Sequence, residues 1–132
     1  MRLSARERTG LRAMIALARS YGQGPTSLRE IADEQDLPLP YLEQIAPLLR
    51  RAGLLASVRG AQGGYYLTRE PSDISVTEVL SALEGQLVGL DCLVSDETGC
   101  DRGHACEARS IWLRVQNCLE QTLGSITLAD VL

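Results

Sequence analysis

Arg51-Ala52-Gly53-Leu54-Leu55-Ala56-Ser57-Val58-Arg59-Gly60-Ala61-Gln62-Gly63-Gly64-Tyr65-Tyr66-Leu67 is the stretch whose reading decides the fold. Gly53 closes a helical pattern, and Leu54–Val58 is strand-like. Arg59–Gly64 is a glycine-rich turn, and Tyr65–Leu67 is strand-like again. Two short strands joined by such a turn read as a hairpin. What the hairpin is for depends on what precedes it.

Three helices precede it. Ser4-x-x-Glu7 and Ser27-x-x-Glu30 are capping boxes, in which the Ser oxygen takes an orphan N–H while the Glu reaches back to the cap. The first opens a helix to about Ser20, with Leu11, Met14, Ile15 and Ala18 at i, i+3, i+4, i+7 spacing. Tyr21–Pro25 is a loop. The second opens a short helix, about Leu28 to Gln35, with Ile31 and Ala32 inward. After the turn Asp36–Pro40, a third helix runs from about Pro40 to Ala52 and buries Leu42, Ile45, Ala46 and Leu49. Pro40 suits its first turn, where a missing N–H costs nothing. Pro47 lies inside it and removes a backbone bond, so a kink or break is expected near Glu43–Pro47. Three helices followed by a glycine-tipped hairpin make a winged helix-turn-helix.

On the other side of the hairpin, Ser75-x-x-Glu78 opens a helix over residues 76–84. Residues 85–107 are polar, glycine-containing and rich in cysteine. A long helix follows, about Glu107 to Leu123, with Gly124 expected as its stop. Its apolar stripe is Ile111, Val115, Cys118, Leu119 and Thr122, bordered by Trp112. A long amphipathic helix with no evident partner in its own chain reads as a dimerisation helix. The fold class is therefore mainly α with a small β-hairpin wing, a winged helix-turn-helix plus a long dimerisation helix. Residues 1–74 form the expected DNA-binding domain, and residues 75–132 the cysteine-loop and dimerisation-helix region. Neither internal repeats nor low-complexity tracts occur.

The 132 residues suit one small domain or a domain with an appended arm, and 45% of them are hydrophobic, which argues against disorder. The apolar runs are far short of a membrane span. Met1–Arg6 leads straight into amphipathic sequence without a signal-peptide core, so a cytoplasmic location is expected. Four cysteines in a reducing compartment read as metal-binding or redox-active before they read as disulfides.

The net charge of -4 hides an asymmetry. Residues 1–69 carry ten arginines and six acids, about +4; residues 70–132 carry three arginines and eleven acids, about -8. There is no lysine. The first half can face phosphate and the second should avoid it.

Two constellations carry chemistry. The first is a reading head. Tyr41, Glu43 and Gln44 lie early in the third helix, where a recognition helix meets base edges. Gln pairs with adenine and Glu accepts from cytosine. Arg50 and Arg51 at the far end suit phosphates. Arg59, backed by Gly60, Gly63 and Gly64, suits entry into a narrow minor groove. The plainer reading is a set of solvated polar residues, and the order helix, helix, helix, wing weighs against it.

The second constellation is Cys92-x7-Cys100-x5-Cys106. Cysteine thiolates are ligands of iron–sulfur clusters and of zinc. No C-x-x-C knuckle is present, and wide spacing on a loop suits an iron–sulfur cluster, 2Fe–2S or 4Fe–4S, better than structural zinc. A fourth ligand is open among His104, Glu107 and Glu7, the last already serving its capping box. Cys118, on the apolar stripe, reads as a buried structural thiol.

In these residues the chain resembles the Rrf-two family of bacterial winged-helix regulators, whose branches include IscR-, NsrR- and RirA-like proteins. The resemblance spans nearly the whole chain. It rests on Met1-Arg2-Leu3, on Tyr41-Leu42-Glu43-Gln44, on Arg51–Leu55, on Ser57-Val58-Arg59-Gly60-x-x-Gly63-Gly64-Tyr65, on the three cysteines, on Trp112 and on Ile126-Thr127-Leu128. It implies a homodimer on a pseudo-palindromic operator in double-stranded DNA, with long helices crossing between subunits. It also implies a cluster that reports iron supply, oxygen, nitric oxide or redox state, and a repressor is the expected sense of regulation. IscR-like proteins space the cysteines x5 and x5, with a histidine three residues after the third; here the first gap is x7 and Arg109 stands at that place. The x7/x5 spacing is nearer to RirA-like proteins. NsrR-like proteins take an acidic ligand from the partner subunit's first helix, where this chain has Glu7 beside Arg8. Some relatives have lost the cluster and regulate cysteine metabolism; retention of three cysteines argues against that here.

Two other readings compete: an iron–sulfur or thiol redox protein whose wing is only structural, and a DNA-binding dimer that is zinc-bound or uses its cysteines as thiol switches. An enzyme is not expected, because no histidine adjoins a nucleophile and no glycine loop is built for phosphate.

Overall fold

The computed structural model describes residues 4–84 and 107–132. Helix α1 (Ala5–Arg19) starts as its capping box requires. Ser4 Oγ accepts from the Glu7 N–H at 3.1 Å, and Glu7 Oε2 accepts from the Ser4 N–H at 2.7 Å. Helix α2 (Leu28–Gln35) repeats the device with Ser27 and Glu30, at 3.1 and 2.9 Å. It stops where Asp36 turns left-handed (φ 52°), which lets the Leu37 N–H reach the Ala32 carbonyl at 2.9 Å. Helix α3 (Leu39–Arg51) has Pro40 in its first turn and buries the expected Leu42, Ile45, Ala46 and Leu49.

Of the expected kink or break at Pro47, the break does not occur: α3 runs through it, and the element is kept as expected. The side chains of Pro47 and Glu43 are both exposed. The lost bond therefore lies on the solvent side of the helix, where water can satisfy the Glu43 carbonyl. Gly53 (φ +82°) then ends the helix, with its N–H on the Arg50 carbonyl and the Leu54 N–H on that of Leu49.

Strands β1 (Leu55–Val58) and β2 (Gly64–Leu67) pair antiparallel, Leu55 opposite Leu67 and Val58 opposite Gly64. A third piece of sheet joins them. Thr26, just before α2, exchanges two hydrogen bonds with Tyr65, at 2.9 and 2.8 Å. This ties the turn end of the hairpin to the start of the helix-turn-helix. Beyond β2, a 3-10 turn (Pro71–Asp73) leads into α4 (Val76–Glu84).

Helix α5 (Arg109–Ser125) begins two residues later than expected and runs through Gly124, which is not its stop. Glycine permits termination but does not compel it. A Cβ at Gly124 would lie 3.7 Å from Thr77 Oγ1, so the residue sits where α5 approaches α4. After α5 the chain returns to the core. Ser75 and Thr127 form a bridge, the Val76 N–H bonds the Ile126 carbonyl at 2.9 Å, and the Leu128 N–H bonds that of Ile74 at 3.0 Å. Leu128 then opens a closing 3-10 turn, Leu128–Val131.

One core results. Met14, Ile31, Leu42, Ile45, Leu49, Ile74, Val79 and Leu128 are fully buried in it, drawn from α1 to α4 and from the C-terminal turn. Each such side chain contributes about 1.5–3 kcal/mol through removal from water. Gly10 of α1 faces Leu83 of α4 so closely that a Cβ there would meet Leu83 Cδ1 at 2.3 Å. The two helices meet side-on because that position is bare.

Candidate nucleic-acid interface

The two faces of α3 are chemically opposite. Leu42, Ile45 and Leu49 point into the core, while Glu43, Gln44, Pro47, Arg50 and Arg51 are exposed and Tyr41 is half-buried. The helical repeat of 3.6 residues explains this: Glu43, Gln44, Pro47 and Arg51 recur at i, i+1, i+4, i+8 and share the outer face. The structure thus brings Tyr41, Glu43 and Gln44 together near the start of α3, with the two arginines in its last turn.

The wing tip is built by glycine. Gly60 adopts φ +114° with open space around it, and its carbonyl accepts from the Gly63 N–H at 3.0 Å. A Cβ on Gly63 would stand 2.1 Å from the Val58 carbonyl oxygen, and one on Gly64 (φ +153°) 2.3 Å from that of Thr26. These two glycines have packing reasons to be there, beside any approach to a ligand. Arg59 is exposed at the tip.

The arginines divide by their partners. Arg6 donates to the Leu83 carbonyl at 3.4 Å, and Arg12 donates to the Gln35 carbonyl. Arg19 lies 3.8 Å from the Glu34 carboxylate, and Arg69 lies 2.8 Å from Glu78 while also holding the Asp73 carbonyl. Arg50, Arg51 and Arg59 have no such partner among the described residues. Burial pushes the Glu78 carboxyl up in pKa. The Ser75 N–H and the Arg69 guanidinium outweigh that and hold the group below the ordinary carboxylate value.

The candidate metal ligands are not assembled by the described residues. Cys92, Cys100, Cys106 and His104 lie outside them. Among the described residues no group of three or more His, Cys, Asp or Glu side chains is placed to hold a metal ion. Glu7 is buried, with one carboxylate oxygen on the Ser4 N–H. Glu107 is exposed just before α5.

Helix α5 carries an uncovered apolar face. Ile111, Trp112 and Val115 are 59, 42 and 40% exposed, and Leu113 adds 38% to the same helix. Leu119 is half-buried. Cys118 is free and exposed on the same helix, and none of the described residues covers it. Leu123 faces inward instead, closing with Leu11, Val76 and Leu80 an apolar groove of about 330 Å³ rimmed by Glu7, Arg8 and Arg12. Among the described residues no helix is long and apolar enough to cross a membrane.

Sequence reasoning missed Thr26 as the bridge partner of Tyr65 and Leu113 on the apolar helix. A Thr between Pro25 and a capping Ser gives no periodicity to read, and Leu113 lies off the stripe.

Comparison with known proteins agrees with this architecture. The family Rrf2, described as an iron-dependent transcriptional regulator, matches residues 3–132. The chain is 39% identical over 131 residues to the HTH-type transcriptional regulator CymR of Bacillus subtilis, covering 99% of this chain and 89% of the relative. It is 36% identical over 131 residues to IscR of Escherichia coli, covering 99% and 80%. Among solved structures, T. potens IscR superposes with a TM-score of 0.80 at 44% identity, covering 99% of this chain and 85% of that one. CymR of B. subtilis, described as its global cysteine regulator, superposes with a TM-score of 0.83 at 38% identity, covering 99% and 95%. These relatives are regulators of transcription and not enzymes. With the family matched from residue 3 to residue 132, the chain belongs to the Rrf2 family and is a winged-helix transcriptional regulator of the IscR and CymR kind.

Proposed function

We propose that this regulator binds double-stranded DNA as a homodimer in the cytoplasm, represses transcription, and senses iron, redox state or nitric oxide through an iron–sulfur cluster on its cysteines. One observation carries the DNA-binding part. The outward face of α3 and the wing tip present Gln44, Glu43, Arg50, Arg51 and Arg59 to solvent, and those three guanidiniums have no partner among the described residues. Tyr41, Glu43 and Gln44 read base edges, Arg50 and Arg51 hold phosphates, and Arg59 enters the minor groove beside Gly60, Gly63 and Gly64. Ile111, Trp112, Val115, Cys118 and Leu119 meet their counterparts in the second copy. Residues 1–74 do the reading and residues 75–132 the sensing and pairing, over a core they share.

The donor set fits an iron–sulfur group by its chemistry: three thiolates on one short stretch, with His104, Glu107 or Glu7 as fourth ligand. Glu7 is the least free of the three, since one of its oxygens already holds the Ser4 N–H. When bound, the cluster supplies a redox- and ligand-sensitive centre. The protein's own part is to let a change in the cysteine segment reach α5, whose C-terminal end is fixed to the core through Ile126 and Leu128.

A second reading is supported by the 39% identity to CymR and by the solved CymR described as a cysteine regulator. In it the same dimer carries no cluster, and its thiols bind zinc or act as switches. The absorption spectrum of protein purified without oxygen, with iron and sulfide counts, separates the two. A brown protein whose duplex affinity changes on cluster loss supports the first reading. A colourless protein without iron after reconstitution supports the second. Equal affinity of the two forms across several salt concentrations removes cluster sensing.

A further inference from the structure

We infer that Arg29, at the start of α2, is a further phosphate contact of the DNA-binding face and extends that face beyond α3 and the wing. The inference rests on the DNA-binding reading above and adds a residue and a surface to it.

The basic half holds ten arginines, and Arg2 lies outside the described residues. Of the nine others, Arg6, Arg12, Arg19 and Arg69 are engaged by carbonyls or carboxylates. Arg50, Arg51 and Arg59 belong to the reading head. Arg8 lines the apolar groove between α1, α4 and α5, whose lining includes no hairpin residue. Arg29 remains: exposed, with no carboxylate or carbonyl partner among the described residues. Asp33 stands one turn on at i+4, where a helical ion pair would form, and no bridge joins them. An arginine that passes over a neighbouring acid contributes nothing visible to the fold.

Its place gives it a use. The two backbone hydrogen bonds between Thr26 and Tyr65 fasten the residues just before α2 to β2, and a Cβ on Gly64 would come within 2.7 Å of the Ser27 nitrogen. The start of α2 is thus fastened to β2 next to the wing turn, and Arg29 is carried beside the element that bears Arg59. In a helix-turn-helix the first helix crosses the DNA backbone while the second enters the groove. A guanidinium on the first turn of that first helix is placed for phosphate oxygens, which it recognises without regard to base.

The test is titration of full-length protein, purified without oxygen, against a duplex it selects from a randomised pool and against a scrambled duplex, over a series of salt concentrations. Arg29→Ala is expected to weaken both duplexes by the same factor. It should also lower the slope of log affinity against log salt by about 0.9 per bound protomer, the value of one phosphate. Arg29→Lys should restore most of the slope, and the melting temperature should not move in either variant. If Arg59→Ala lowers the slope and Arg29→Ala does not, DNA binding stands and the role of Arg29 is overturned. If the unaltered protein retains neither duplex, the DNA-binding reading falls and Arg29 falls with it. If Arg29→Ala weakens only the selected duplex, the residue reads sequence and is no phosphate contact.

Discussion

Gly64 shows how much one missing carbon decides. A Cβ there would stand 2.3 Å from the Thr26 carbonyl oxygen, a backbone atom that cannot move without opening the bridge to Tyr65. Gly64→Ala is expected to destabilise the protein by about 1–3 kcal/mol, through strain and a lost pair of hydrogen bonds, as a lower urea midpoint would report. Arg59 is the opposite kind of residue, exposed and unengaged in the fold. Arg59→Ala should leave the urea midpoint alone, weaken duplex binding, and reduce the salt slope by about 0.9 per protomer. A midpoint shift without a binding change would assign Arg59 to the fold alone.

At the scale of elements, capping sets the starts of three helices, and the pattern is legible in the sequence alone. Ser4–Glu7, Ser27–Glu30 and Ser75–Glu78 each close as reciprocal pairs. The last also bears a pH dependence. The folded Glu78 carboxyl lies below its ordinary value, because the Ser75 N–H and the Arg69 guanidinium outweigh the cost of burial. Its contribution is therefore fully present above the unfolded glutamate pKa of about 4.3, and is lost as pH falls through the lowered folded value. Glu78→Gln should flatten that acid limb of the stability curve, measured by thermal melts at descending pH. An unchanged limb would remove Glu78 from the acid sensitivity. The ends that escaped sequence reading were those without a cap signal. Gly124 looks like a stop but lies inside α5, and Pro47 looks like a break but sits on the solvent side of α3.

Across the whole molecule, α5 is the element least explained by the other described residues. It has no buried residue, yet it carries Ile111, Trp112 and Val115 in the open. An apolar face of that kind needs a partner to leave water. On the proposed pairing through α5, Val115→Glu is expected to leave the protein a monomer at micromolar concentration where the unaltered protein is a dimer, with fold retained, as sedimentation and circular dichroism would report. Persistence of the dimer would place the interface elsewhere. The C-terminal turn is held in the opposite way, by Leu128 buried among Ile74 and Val79. Leu128→Ala should cost about 2–5 kcal/mol, measured by denaturant unfolding, because a cavity opens where the turn meets the core.

Local chemistry determined much of this protein from sequence alone. Helix starts follow from Ser and Glu three residues apart, core positions on α3 from 3.6-residue spacing, and the wing from glycines between two short strands. Each is an interaction between neighbours in the chain, so its signal is printed in consecutive residues. The tertiary structure alone decided what depends on distant residues meeting. It paired Thr26 with Tyr65 and Ser75 with Thr127, and it sent Leu128 back into the core. It also left Cys118 and the apolar face of α5 uncovered by the described residues. Close approach of two backbones, and the burial or exposure of a face, are set by what packs across the fold, and no short stretch of sequence contains both sides of such a contact.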